Sequence, residues 1–407
     1  MRTRSWWLAG FLILFFTSAW SAEPPSPAPI KLGLVVPMAG EAGRVGLSMR
    51  RAAELALEDW SARLDRKVEL IVKEDGFEPR QAVSVAEKLV QDGVWGVVGH
   101  FYSSSSIPAS AVYFQAGIPQ VTATSTHPRL TAQGFDTVFR VTGRDDQQAF
   151  TAADFLAARL RARRVAVIHD RTEYGRTLAE TFIRAFEHGG RRVLSTEEIA
   201  QGDKEFGLLV ARLKTSAPDA IYFGGIFREG GHLLRQIRQQ GVPVPFFSGD
   251  GVLDPEFVKL AGEEPAAGAY LTFAPDPRRL PTAQPLIRRF EERYGALGPY
   301  VLYTYDAVSM LLRAIQIGRP EAGTREELRR VVRVLHSRPY EGALGRLVWD
   351  KQGDLATSPY VVYVTKKGGS VQGWFEQVTG LPEVRGAKAV GRQQGRPAPA
   401  RAGGRTP

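Results

Sequence analysis

The chain of 407 residues contains no cysteine. That excludes disulfides, thiolate metal sites, a cysteine nucleophile and a lipid-anchored cysteine. Its six histidines (His100, His127, His169, His188, His232 and His336) are scattered, and none forms an HExxH or similar ligand pair. No G-x-S-x-G elbow, GxGxxG motif or phosphate-binding lysine loop is present. No metal and no cofactor is therefore expected. Helix-turn-helix, zinc-finger and basic-aromatic patterns are also missing from the body, although the formal net charge is +10. That charge sits at the ends. Residues 384–407 carry Arg385, Lys388, Arg392, Arg396, Arg401 and Arg405 with no acid, and Arg2 and Arg4 open the chain. Without those eight charges the body is nearly neutral, so no nucleic-acid partner is expected.

With 43% hydrophobic and 24% charged residues, the remainder is an ordinary globular chain of a length that suggests about two domains. At the N-terminus, Arg2 and Arg4 precede an apolar run over 6–16 that is short for a membrane span. Ala19 and Ser21 then offer small residues at the −3 and −1 positions of a cleavage site. Residues 1–21 read as a signal peptide of an exported protein, with an uncleaved membrane anchor as the alternative. Residues 384–407 read as a basic disordered tail, with a tether to an anionic surface as the sharper alternative.

Between these ends the apolar patterning alternates strand and helix. Strands are expected over 30–38, 68–75, 94–99 and 120–123, with helices over 47–64, 79–91 and 104–115. The pattern restarts with strands over 164–169, 192–197, 220–224 and 244–248 and helices over 174–187, 206–215 and 231–240. Helices over 285–294, 300–317 and 325–334 follow, then strands over 347–349 and 360–364. Strongly apolar strands separated by amphipathic helices predict α/β architecture with two parallel sheets.

Parallel sheets bind ligands where strands end and helices begin. At the third strand end the chain reads Phe101-Tyr-Ser-Ser-Ser-Ser106, and at the fourth Thr122-Ala-Thr-Ser-Thr126. Ser103, Ser125 and Thr126 offer hydroxyls beside helix N–H groups, suited to a carboxylate; simple helix capping is the alternative. In the second unit Tyr174 follows the first strand, and Asp250 lies between Gly249 and Gly251 after the fourth. Asp250 suits an ammonium group or an Asx-turn, and Tyr174 a ligand contact or helix packing. Hydroxyls at one strand end and an acid at another describe an α-amino acid clamp. A nucleophilic Ser103 served by His100 is the enzyme alternative; His100 follows a buried strand and reads better as a core residue.

Six stretches, IKLGLVVPMAG, GHFYSSSSIPAS, GIPQVTATSTHPRLT, VAVIHDRTEYG, GDKEFGLLVARLK and FFSGDGV, resemble the periplasmic leucine/isoleucine/valine-binding proteins of ABC transporters. The resemblance runs from about Ile30 to Thr379. It implies a type I periplasmic binding protein fold: two Rossmann-like lobes, three crossing segments near Arg144, Pro275 and Asp350, and a ligand cleft between the lobes. Lobe 1 would then comprise 30–144 and 276–349, and lobe 2 residues 145–275 and 350–380. By the same resemblance Ser103 and Thr126 bind the ligand carboxylate, with Ser125 read through its backbone. Tyr174 stacks, Asp250 replaces a glutamate that binds the ammonium group, and Tyr300 lines the side-chain pocket. The resemblance also marks departures. Family tyrosines are Val45 and Ile226 here, flanked by Arg44 and by Phe227 and Arg228, and a family disulfide joins positions that are Phe77 and Tyr102; Ile226 and Tyr102 are expected among the ligand-binding residues. The clamp is largely kept and the side-chain pocket rebuilt, for an apolar or aromatic side chain or for an acid or amide met by Arg44 or Arg228.

These features imply a monomeric periplasmic solute-binding protein, not an enzyme, that takes an amino acid-like small-molecule ligand to a membrane ABC permease. The alternatives are a sensor that signals to a receptor and a secreted serine hydrolase.

Overall fold

The computed structural model describes residues 28–40, 42–367 and 375–378. The expected signal peptide at 1–21 and basic tail at 384–407 lie outside the described residues. Strands β1 (Ile30–Val35), β2 (Val68–Lys73), β3 (Gly96–Val98), β4 (Gln120–Thr122) and β5 (Val138–Arg140) form a parallel sheet in the order β2-β1-β3-β4-β5. Strands β6 (Arg164–His169), β7 (Arg192–Glu198), β8 (Ala220–Gly224), β9 (Phe246–Ser248) and β10 (Tyr270–Phe273) repeat that order as β7-β6-β8-β9-β10. A hairpin of β11 (Tyr340–Gly342) and β12 (Gly345–Leu347) follows. Antiparallel β13 (Val361–Thr365) and β14 (Phe375–Gln377) then extend the second sheet beyond β10.

The inner strands are apolar at consecutive positions because helices cover both of their faces. Every residue of β3, β4, β5, β8 and β9 is buried, whereas the edge strands β2 and β7 are half-exposed. Aromatic rings fill the second lobe: Phe182 stacks on Tyr222 at 3.7 Å between centroids, and Tyr222 meets Phe247 at 6.2 Å. The helix Val301–Gly318 comes late in the chain but packs on the early helix Gly43–Ser61, so it belongs to the first lobe. Leu55 and Ala52 meet Val301 and Leu302 there.

Several boundaries differ from the sequence expectation. The apolar patterning does not announce β5, β10 or the helix Asp145–Ala158, because β5 is only three residues long and that helix has little apolar periodicity. The strand expected over 347–349 ends at Leu347. Trp349 leaves the hairpin so that its indole N–H donates to the Arg140 carbonyl at 2.8 Å, and it pairs instead with Leu355. The serine helix begins one residue earlier than expected, at Ser103, and the helix after β8 begins at Phe227.

The chain crosses between the sheets three times: after β5, after β10 and before β13. Arg140, at the end of β5, ties two of these crossings together. Its side chain is fully buried and donates to Asp354 Oδ1 at 2.6 Å, the Ser125 carbonyl at 2.7 Å and the His127 carbonyl at 3.1 Å. Arg144, on the first crossing, donates to the other oxygen of Asp354 at 2.9 Å. Burial opposes charge on Asp354, but Arg140 and Arg144 outweigh it and hold the carboxyl below its usual range. Gly353 allows this approach. Its φ is +88°, and a Cβ there would stand 1.9 Å from the Val138 carbonyl oxygen.

Removing one member of a buried ion pair leaves the other charge uncompensated. Asp354→Ala is therefore expected to lower the free energy of unfolding by about 3–5 kcal/mol, measured by chemical denaturation. A loss below about 1 kcal/mol would show that Arg140 does not depend on Asp354.

Candidate ligand-binding cleft

In both sheets the strand order reverses between the first and third strands, which opens a crevice at their C-terminal ends. The two crevices face each other across one pocket, which encloses about 510 Å³ including the solvent at its mouth. The first lobe lines it with Val45 after β1, Phe101, Tyr102 and Ser103 after β3, and Thr124 after β4. Tyr300, which caps the helix Val301–Gly318, completes that side. The second lobe contributes Tyr174 after β6, Ile226 and Phe227 after β8, and Asp250, Leu253 and Asp254 after β9.

Six of the eight expected site residues therefore meet in one pocket: Tyr102, Ser103, Tyr174, Ile226, Asp250 and Tyr300. Ser125 and Thr126 do not line it. Ser125 turns its hydroxyl to Ser106 Oγ at 2.7 Å and to the His100 carbonyl at 3.2 Å. Its N–H donates to Thr122 Oγ1 at 2.8 Å and its carbonyl accepts from Arg140, so its polar groups are engaged internally. Thr126 is buried away from the pocket lining, and its carbonyl accepts the Asp145 N–H at 3.0 Å. Arg140, which grips the carbonyls of Ser125 and His127, fixes this loop in that orientation.

Ser103 stands at the first turn of the helix Ser103–Ala116, where backbone N–H groups lack intrahelical partners. Its hydroxyl oxygen accepts the His127 N–H at 3.4 Å, which leaves its own proton to donate. His100 does not reach it. That ring is fully buried, with Nδ1 at 2.7 Å from Asp75 Oδ2 and Nε2 at 3.0 Å from the Tyr113 hydroxyl. Phe77 and Tyr102, the pair that stands in place of two cysteines in the resemblance, pack edge to face at 4.4 Å.

Asp250 is the best-supported group in the cleft. It is 3% exposed, and the Tyr174 hydroxyl donates to its Oδ1 at 2.8 Å. Gln148 grips the residue at both ends: its Nε2 donates to Asp250 Oδ1 at 3.0 Å, and its Oε1 accepts the Asp250 N–H at 3.1 Å. Thr272 orients the same amide, donating to Gln148 Oε1 at 2.9 Å. The flanking glycines admit these neighbours. A Cβ on Gly249 would lie 2.7 Å from the Tyr174 hydroxyl, and one on Gly251 would lie 2.5 Å from the Gly225 carbonyl.

Gln148 also donates to Asp145 Oδ1 at 2.8 Å, so one amide links two buried carboxyl groups. Burial pushes Asp250 up to about 6. Burial, with the Asp250 charge added, pushes Asp145 up to about 8. Burial therefore opposes charge on both carboxyls, and the neighbouring Asp250 adds to that effect at Asp145. Gln148 and Asp145 were not among the expected site residues. Both lie on a helix that follows a crossing rather than a strand end, and its consecutive Asp145-Asp146-Gln147-Gln148 was the only signal available.

Several side-chain contacts join the lobes across the cleft. Arg44 pairs with Asp254, His127 Nε2 lies 2.8 Å from Thr177 Oγ1, and Arg129 Nη1 lies 3.5 Å from Glu173 Oε1. Arg44 is thus bound to an acid of the opposite lobe. Burial pushes His127 down to about 4, so it meets Thr177 as a neutral ring.

Because the folded pKa of Asp145 lies above the ordinary value of 3.8, its contribution is complete at acid pH and is lost as pH rises through about 8. Asp145→Asn, which keeps the shape and removes the titration, is expected to lose less stability than the parent between pH 5 and 9. Denaturation midpoints at pH 5, 7 and 9 check this; parallel curves for the two proteins would contradict it.

A sequence profile described as periplasmic binding protein matches residues 29–370. An amino acid binding protein of Pseudomonas aeruginosa is 38% identical over 361 residues, which covers 87% of this chain and 95% of that one. A Leu/Ile/Val-binding protein homolog of Brucella abortus is 34% identical over 360 residues, covering 88% and 94%. Among solved structures, a leucine-binding protein of Thermotoga maritima superposes with a TM-score of 0.78 at 28% identity, covering 86% of this chain and 97% of that one.

Proposed function

The chain belongs to the periplasmic binding protein family, and on that premise we propose that it captures an amino acid or a close analogue between its lobes and delivers it to a membrane ABC transporter. One observation carries this reading. Asp250 is a buried carboxylate that lines the cleft, and the groups that act on it most are neutral: Gln148, Tyr174 and backbone N–H groups. A buried carboxylate without a counter-charge suits an incoming ammonium group.

The opposite lobe offers the complementary end. The Ser103 hydroxyl and the N-terminus of its helix would bind the ligand carboxylate by charge-assisted hydrogen bonds. Thr126 and Ser125 act behind them, by shaping the loop. Tyr174 holds Asp250 in place, and Tyr300, Tyr102 and Ile226 border the side chain. Each lobe alone leaves half of the ligand's polar groups in water; closure excludes that water and strengthens both charged contacts. A micromolar complex needs about −8 kcal/mol, within reach of two such contacts and an apolar pocket.

The lobes divide at the three crossings, with 30–144 and 276–349 in one and 145–275 and 350–380 in the other. Residues 1–21 direct export to the periplasm, and the protein works there as a monomer that releases its ligand unchanged. The names of its relatives, amino acid and Leu/Ile/Val binding, point to the same ligand class.

Asp250→Ala is expected to abolish calorimetric binding of amino acids that the parent protein binds, with the fold retained by circular dichroism. In the parent, affinity should fall as pH drops through about 6, where Asp250 takes up a proton. Undiminished binding by Asp250→Ala, or a flat profile between pH 5 and 8, would remove Asp250 from the ammonium role.

A further inference from the structure

Beyond Asp250, the pocket contains a second buried acid that the amino-acid clamp does not use. Asp254 is 2% exposed and lines the same cavity from the loop after β9. Its Oδ1 is fully engaged: it pairs with Arg44 of the other lobe and accepts the Glu256 N–H at 2.8 Å, which caps the helix Pro255–Ala261. Its Oδ2 is buried and has no hydrogen-bond partner among the described residues. The Tyr102 hydroxyl, on the facing lobe of this pocket, is buried without a partner as well. Apolar side chains of Val45, Phe101, Ile226, Phe227 and Leu253 line the same pocket.

Unmet polar atoms on a pocket wall select the ligand. A carboxylate oxygen only accepts, so an aliphatic side chain would seal it away unpaired, and an anionic side chain would meet it with like charge. Arg44 does not reverse this preference, because its charge is already directed at Asp254. We propose that Asp254 is a specificity-determining residue and that the ligand's side chain ends in an uncharged hydrogen-bond donor, an amide or a hydroxyl, directed at Asp254 Oδ2. The Tyr102 hydroxyl supplies a second contact, donating to an oxygen of the same group or accepting from it. A site built around a hydrogen bond rejects the analogue that lacks the donor far more strongly than an apolar pocket rejects a small change of shape. This assignment rests on the amino-acid reading of the cleft and narrows it to one class of side chain.

Calorimetric titration of the full-length exported chain with size-matched pairs tests the assignment: asparagine against leucine, threonine against valine, and asparagine against aspartate. The expected result is that the donor-bearing member of at least one pair binds more than tenfold tighter than its apolar match, and that asparagine outbinds aspartate. Asp254→Asn presents a donor in place of the free acceptor, and it should shrink or invert the asparagine–aspartate difference. Leucine and valine binding as tightly as their polar matches, in a manner still abolished by Asp250→Ala, would overturn the role of Asp254 while leaving the clamp intact. Absence of binding by every amino acid would overturn the clamp and this assignment with it. The ranking in the parent protein is decisive even if Asp254→Asn fails to fold.

Discussion

The structure depends on a buried charge that has to be neutralised. Arg140 is fully enclosed at the end of β5, and a guanidinium there is tolerable only if its donors are met. They are met by Asp354 and by the carbonyls of Ser125 and His127. The first partner comes from the third crossing and the other two from the loop after β4. One side chain therefore holds the connection between the lobes and also the wall behind the cleft. Arg144 shares Asp354, so the first and third crossings are joined through a single carboxylate.

The cleft has an uneven distribution of charge, and that asymmetry explains why two lobes are needed. The first lobe presents hydroxyls and a helix N-terminus, which favour an anionic group without supplying a formal cation. The second presents two carboxyl groups, Asp250 and Asp145, whose charge is restrained by burial. A zwitterion placed between them satisfies both sides at once. The contacts that span the lobes include Arg44 with Asp254 and His127 with Thr177.

Much of this was legible in the sequence, and the rest was hidden for identifiable reasons. Apolar runs such as RVAVIH and the strand before the serines stand out because both faces of an inner strand are buried. Ser103 and Asp250 stand out because strand ends in such sheets are the natural positions for ligand contacts. Ser125 and Thr126 shared that signal but were turned away from the pocket by Arg140, a long-range partner that local pattern cannot reveal. Gln148 was missed because its role is to hold Asp250 across 102 positions of sequence, through a helix with no ligand-like motif. The Arg44–Asp254 pair was hidden likewise: Arg44 lies in the first turn of the helix Gly43–Ser61, and its partner comes from the second lobe, 210 positions away.

The most direct test of the central claim, that a zwitterionic ligand is gripped between an acid of one lobe and a helix end of the other, is a crystal structure of the protein grown with a mixture of the common amino acids. The account predicts one amino acid in the cleft, with its ammonium nitrogen within hydrogen-bond distance of Asp250 and its carboxylate against Ser103 and the helix that begins there. A ligand bound with neither group at these residues, or lobes closed around a molecule that lacks an amino group, would contradict it.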